Sequence, residues 1–570
     1  MTTPGTVWRT VRHLRPEQLL GRITFRLARP RPVLASAPPR RRQWVALVRP
    51  PARESSLQAP DRFTFLGEAH ALSDVGWDDP QLGLLWRYNL HYFDDLNAAG
   101  AEGRRDLHRS LMGRWMADNP AGRGTAWAPY PTSLRVANWI KLFLGGFDPD
   151  AALLDSLATQ VRWLGQRLEW HVLGNHLFVN AKALIMAGLF FDGDEAAGWL
   201  ADGICILERE LPEQILTDGG QFERSTMYHA LAVDDVLDLL QVVRACGADI
   251  AGSVGVEARQ LAVTLTGRMP AMLRWLACMS HPDGRIASFN DAAVGIAPPN
   301  DELWRVAGAL GLSVPTPPTD GVTVLADSGY VRVQRGAAVG IVDVAPIGPD
   351  YLLAHAHADT LTFEVSVRGR RLVVNGGTSR YGTSPERVRE RGTAAHNTVE
   401  IAGQDSSEVW SGFRVGRRAR VTGVAVDGWQ VQGAHDGYRF LPGAPVHRRH
   451  WLWEPDAVTV TDTVSSASSS STAALARFHL APGLQLVRDG ARWAVREDEQ
   501  LVAVIEVLAG DAHANVGTHA PRFGVVEPVD VLVVRLRGGC AITRFSWAAK
   551  RDSAATAPSG KQLAMPTARG

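Results

Sequence analysis

The stretch YLLAHAHADT at 351–360 alternates His355, His357 and Asp359 with alanines. In an extended chain, side chains two apart share a face. This spacing would therefore array two imidazoles and a carboxylate together. At neutral pH an imidazole moves protons or binds metals. The run LTFEVSVRGRRLVVNGG follows as two strands turning at Arg368-Gly369, with Asn375 on the return strand, and GTAAHNTVEI sets His396 ahead of another strand. Three strands so arranged would converge His355, His357, Asn375 and His396. The plainer alternative for an HxH pair is the polar outer face of a sheet.

Other stretches hold chemistry at helix starts. In LEWHVLGNHLFVNAKAL, Gly174 breaks the chain and Asn175 is placed to cap the following helix, with His176 beside it. Free N–H groups and positive dipole make a helix N-terminus a seat for a carboxylate, although Asn also serves as a simple cap. In TDGGQFERSTMYHALAVDD, a Gly-Gly loop leads into a helix whose start crowds Glu223, Arg224, Tyr228 and His229. WRYNLHYFDDL and WAPYPTSLRVANWIK mix aromatics with polar groups: Trp86, Asn89, His91, Tyr130, Arg135 and Asn138. That mixture suits stacking on sugar rings and binding their hydroxyls and carboxylates, and core packing uses the same residues.

These residues must be positioned by more than one domain, because 570 residues exceed one ordinary core. An apolar share of 45% and a charged share of 21% fit a globular chain. The net charge of +1 offers no global field to attract nucleic acid. Residues 1–60 form a basic arm and Pro/Arg-rich linker, read as a solvated helix packed against the body rather than a nucleic-acid arm. Over 61–313 apolar residues recur every three or four positions, the mark of successive helices and of a helical toroid. After the VPTPPTDG linker, short β-branched runs over 322–547 indicate an antiparallel β-sandwich. The tail 548–570 reads as disordered. The fold class is thus α+β multidomain, helical toroid first and sandwich second. Four scattered cysteines argue against a disulfide scaffold or a zinc knot. No secretory signal and no membrane span is visible, which indicates a cytoplasmic protein, with periplasmic or exported placement as the alternative.

Seven motifs, NLHYFDDL, PYPTSLRVANWIK, GNHLFVNAKAL, DGGQFERSTMYH, HAHADTLTFEV, LVVNGGTSRYG and GTAAHNTVEI, run in order over about residues 80–420. Together they resemble the heparinase II/III superfamily of polysaccharide lyases, which pair an (α/α) toroid with a β-sandwich. The resemblance implies β-elimination on a uronate-containing acidic polysaccharide in the cleft between the domains. Asn175 and His176 would neutralise the uronate carboxylate. Tyr228 would be the acid, and also base for one C5 epimer, and His355 the catalytic histidine. Trp86, Asn89, His91, Tyr130, Arg135, Asn138, Glu223 and Arg224 would bind substrate. His357 and His396 correspond to ligands of one zinc ion, but the family's aspartate position holds Asn375. A neutral amide weakens that site. Two alternatives are a non-catalytic glycan-binding relative and a toroid hydrolase, which needs two carboxylates from among Asp94, Asp95, Glu223 and Asp291.

Overall fold

The computed structural model describes residues 3–41, 44–247, 250, 252–466 and 473–547. The tail expected to be disordered, 548–570, lies outside them. Helices dominate from Leu84–Tyr92 to Asn300–Ala309, and antiparallel strands from Gly321–Leu325 to Cys540–Ser546. The helical part is built on one apolar core in which Trp86, Trp115 and Trp139 are buried. Its start departs from the expected boundary at residue 60. The strands Leu57–Ala59, Arg62–Phe65 and Glu68–Ala71 form a small sheet there.

The second part has three larger antiparallel sheets, of five, eight and four strands. The five-stranded sheet is a simple meander from Gly321–Leu325 to Arg370–Val373. Alternating apolar residues from all three, among them Phe363, Trp451 and Phe478, share one core. Strands Phe363–Val367 and Arg370–Val373 form the expected hairpin at Arg368-Gly369.

Two expectations fail. Asn375 lies past the end of the return strand Arg370–Val373 rather than on it. His355 and His357 are not on a strand; residues 351–361 run irregularly between the strands Ala338–Asp343 and Phe363–Val367. Polar groups from elsewhere have claimed the backbone that a ladder would use. The His355 carbonyl accepts from Asp291 N at 3.0 Å, and Ala358 N donates to the Arg391 carbonyl at 2.8 Å. The Ala356 carbonyl takes the Arg391 guanidinium, and His357 N donates to Asn290 Oδ1 at 3.0 Å.

The two parts are joined by buried polar struts. Arg224 donates to the Ser328 carbonyl at 2.9 Å, and Tyr330 donates to the Arg224 carbonyl at 2.7 Å. His281 lies 2.9 Å from Glu364 and 2.7 Å from Ser366. The N-terminal arm is two helices, Pro4–Val11 and Pro16–Leu27, that strap across both parts. Arg9 pairs with Glu408 on the sheet side and Arg15 with Glu213 on the helical side. Among the described residues no helix is long and apolar enough to cross a membrane.

Candidate active site

The site lies where three segments meet: the start of helix Gly174–Phe190, the start of helix Thr226–Gly247, and the irregular loop carrying His355. Gly174 has φ +58°, and a Cβ there would lie 2.4 Å from Leu352 Cδ2 in that loop. Glycine adopts this backbone readily and leaves room for the approach. Leu173, not Asn175, is the N-cap, at φ 66° and without a side-chain bond. Asn175 instead sits in the first turn, near the Tyr130 hydroxyl. Ahead of Tyr228, Gly219 has φ +95° and packs against the backbone of Ala271, so the Gly-Gly loop is held close. Ser225 then caps the helix by accepting from Tyr228 N at 3.2 Å.

The rings of Tyr228 and His355 are in contact, centres 3.9 Å apart and planes tilted by 30°, and the Tyr228 hydroxyl is 3.0 Å from that of Tyr381. Burial, with Tyr381 and Tyr130 nearby, pushes the Tyr228 pKa well above that of free tyrosine. His355 Nδ1 lies 2.9 Å from Asp291 Oδ2. Asp291 is fully buried. Burial would raise its pKa, but Arg387 and the two histidines more than offset this and hold it well below the usual range. An ionised carboxylate only accepts, so His355 Nδ1 carries a proton, and in the neutral ring Nε2 is the nitrogen with the lone pair. Nε2 faces Glu223 at 3.9 Å. Glu223 Oε2 has no hydrogen-bond partner among the described residues, and burial pushes its pKa up.

Opposite, His176 Nδ1 is 2.9 Å from Glu169 Oε1, and its ring lies 4.4 Å from that of Tyr130. Burial disfavours its charge, yet the attraction and hydrogen bond of Glu169, with Glu223 beyond, outweigh that and raise its pKa. The structure thus brings together Tyr130, Asn175, His176, Glu223, Tyr228 and His355.

Other sugar-binding candidates point elsewhere. Trp86 is buried, with Nε1 on the Glu68 carbonyl at 3.2 Å. His91 is buried between Thr125 and Trp115, and burial pushes its pKa down to about 3. Arg135 is buried on Gln160 and the His91 carbonyl, Asn138 on the Tyr92 carbonyl and Asp94, and Asn89 bonds the Leu85 carbonyl. Arg224 is used up on backbone carbonyls. Aromatics interleaved with polar groups here build the wall of the helical core.

The hydrolase alternative loses its carboxylate pair. Asp291 is locked to Arg387, and Asp95 is taken by His108 and Arg104. Asp94 accepts from Asn138 at 2.8 Å, so of the four candidates only Glu223 brings an unbonded carboxylate oxygen to the cluster.

His357 and His396 do meet, with Nδ1 3.3 Å from Nε2. Asn375, however, lies against the other nitrogen of His396, Oδ1 to Nδ1 at 3.4 Å, and already accepts from Thr362 at 2.6 Å. Three donors aimed at one point are what zinc requires; these are not so aimed, and none is anionic. His357 is hydrogen-bonded on both ring nitrogens without an ion. His357 Nε2 donates to Asp291 Oδ1 at 2.9 Å, so its Nδ1 accepts from His396 Nε2. Asn375 Nδ2 is buried without a hydrogen-bond partner among the described residues. Burial keeps both rings neutral, with His357 pushed down to about 4. The residues do not fit a zinc ion. Asp359 does not repair the set: its Oδ2 accepts from Asn290 N at 3.3 Å. Among the described residues no group of three His, Cys, Asp or Glu is arranged to hold a metal.

Asp291, Tyr381 and Arg387 complete the site without having been singled out as members of it. Tyr381 lay in view within LVVNGGTSRYG.

Comparison with known proteins agrees with this architecture. The heparinase II/III N-terminus family matches residues 108–297, and the heparinase II/III-like C-terminal family matches 317–554. A heparin-sulfate lyase of Bacteroides stercoris is 26% identical over 303 residues, 48% of this chain and 43% of that protein. Another, of Pedobacter heparinus, is 24% identical over 327 residues, 51% and 47% of the two chains. The chain thus spans under half the length of these curated relatives. Among solved structures, one heparinase III superposes with TM-score 0.63 at 18% identity, covering 81% of this chain and 76% of its own. Another gives 0.60 at 19%, covering 83% and 80%. With both of its parts matched, the chain belongs to the heparinase II/III-like proteins.

Proposed function

We propose that this chain cleaves a uronate-containing acidic polysaccharide by β-elimination, in the cleft between a helical toroid and the sheets. The observation that carries the reading is the contact of Tyr228 with His355 beside a helix N-terminus bearing Asn175 and His176. A uronate carboxylate placed at that N-terminus would meet the dipole, the Asn175 amide and the His176 charge. Withdrawing charge from the carboxylate acidifies the C5 proton. His355 Nε2 keeps the lone pair and takes that proton. The electron pair left on C5 forms the C4–C5 double bond as the C4–O4 bond breaks. Tyr228 retains its proton at neutral pH and delivers it to the departing O4. Tyr381 holds the Tyr228 hydroxyl, and Asp291 holds His355 in the required tautomer. Glu223 Oε2, without a partner among the described residues, faces the same space and can hydrogen-bond a sugar hydroxyl.

Mass spectrometry of digested uronate oligosaccharides tests the reaction class. Elimination splits the chain without adding water, so the fragment masses sum to that of the substrate. Fragments that together carry one extra water would replace this reading with hydrolysis.

A further inference from the structure

The two N-terminal helices are inside out. In Pro4–Val11, Thr6 and Arg9 turn inward onto Glu408, and Thr10 accepts from Trp410 Nε1 at 3.1 Å. Outward are Val7, Trp8 and Val11, 42%, 66% and 38% exposed. Pro16–Leu27 repeats the inversion. Gln18 reaches the Val172 and Tyr351 carbonyls, and Phe25 lies 4.1 Å from the ring of His171. Leu20, Ile23 and Leu27 are 63%, 56% and 75% exposed, with Leu19 beside them at 43%. Their helical spacing makes one stripe. A surface helix ordinarily turns such a stripe toward the core, and an exposed apolar patch with a charged rim marks a docking surface.

The rim is basic although the chain is nearly neutral. Arg12 and Arg26 are exposed. Arg22 has Arg26 and Arg414 as charged neighbours, and His13 lies among Arg12, Arg418 and Arg420. The carboxylates nearby are already paired, Asp350 with Arg418 at 2.9 Å and Glu17 with Arg209 at 2.7 Å.

We propose that this face docks on an anionic lipid bilayer, with both helices in the interface plane, the apolar stripe at the acyl boundary and the arginines on lipid phosphates. Tryptophan and leucine on one side, flanked by arginine, is the composition of an interfacial helix. Guanidinium groups match phosphate bidentately. A second copy of the chain would set two positive rims against each other, which repels.

Co-sedimentation of the full chain with vesicles tests this, using phosphatidylcholine alone and phosphatidylcholine doped with phosphatidylglycerol. The expected result is pelleting with the doped vesicles, weakened by salt. Replacing Trp8, Leu20, Ile23 and Leu27 by serine should weaken it at least about tenfold, since apolar burial supplies the anchoring. Arg12→Gln/Arg22→Gln/Arg26→Gln should remove the preference for the anionic lipid. An unchanged circular dichroism spectrum checks that the variants fold. The proposal is overturned by no pelleting at low salt, by equal pelleting with phosphatidylcholine alone, or by serine variants that pellet as wild type does. It is equally overturned if sedimentation without lipid reveals a dimer that the serine variant abolishes.

Discussion

The imidazole of His355 and that of His357 clasp opposite oxygens of one carboxylate, Asp291, each at 2.9 Å. Arg387 closes the same carboxylate from a third side, with NH2 at 2.7 Å from Oδ2. The HxH spacing therefore joins two imidazoles through a shared anion rather than along a sheet face.

The clasp makes Asp291 a positioning residue, and its two substitutions should separate. Asp291→Ala leaves a buried arginine without its partner and should cost about 3–5 kcal/mol of stability. Asp291→Asn keeps the shape but releases the tautomer of His355. Its kcat should fall by roughly 10²-fold or more, by analogy with orienting carboxylates elsewhere, with KM little changed. Steady-state kinetics together with thermal denaturation of both variants measures this; an Asn variant of wild-type kcat removes Asp291 from the mechanism.

Tyr228→Phe should lower kcat by roughly 10²–10⁴-fold, the range for a positioned acid–base group, while substrate affinity holds. Tyr381→Phe removes only a hydrogen bond to that hydroxyl, at 3.0 Å, so its loss should be the smaller. Kinetics of the two variants side by side checks the order, and an equal or reversed order contradicts the assignment of roles.

His176 gives a pH dependence whose sign is fixed. Its pKa is raised, chiefly through Glu169 working against burial. The charged form therefore persists above the roughly 6.5 of free imidazole and is lost as pH climbs through the raised value. KM for an acidic oligosaccharide should rise across that window. Glu169→Gln should move the rise to lower pH, because the attraction that raised the pKa is gone. A KM profile that Glu169→Gln leaves unmoved would exclude this origin.

Elemental analysis of purified protein should find no stoichiometric zinc, because Asn375, His357 and His396 do not aim at one point. Asn375→Asp puts a negative oxygen at the same misaimed position, so it too should stay without stoichiometric zinc. Stoichiometric zinc in wild type contradicts the hydrogen-bonded reading of this cluster.

The helical and sheet halves were legible because periods of three to four and of two persist over long runs. Tyr228, Asn175 and His176 were legible because helix starts are local events, marked by Gly174 and by the Gly-Gly loop at 219–220. Asp291 had been noticed only as a hydrolase carboxylate. Its partners lie 64 and 96 positions away, His355 and Arg387, and no local pattern encodes such pairings. Trp86, His91 and Arg135 misled for a different reason. Sugar-stacking surfaces and a buried aromatic wall draw on the same residue types, and only burial tells them apart.

The most direct test follows ultraviolet absorbance during incubation with a panel of uronate polysaccharides, for wild type and His355→Ala, with calorimetry of the same proteins on an acidic oligosaccharide. Elimination conjugates the new C4–C5 double bond with the carboxylate, so wild type should generate an absorbing product on at least one polymer. His355→Ala should lose that product by roughly 10²-fold or more while binding weakens only modestly, since Asn175 and His176 remain. Wild type that binds glycan yet never produces the chromophore would contradict the lyase reading and leave a glycan-binding protein on the same fold.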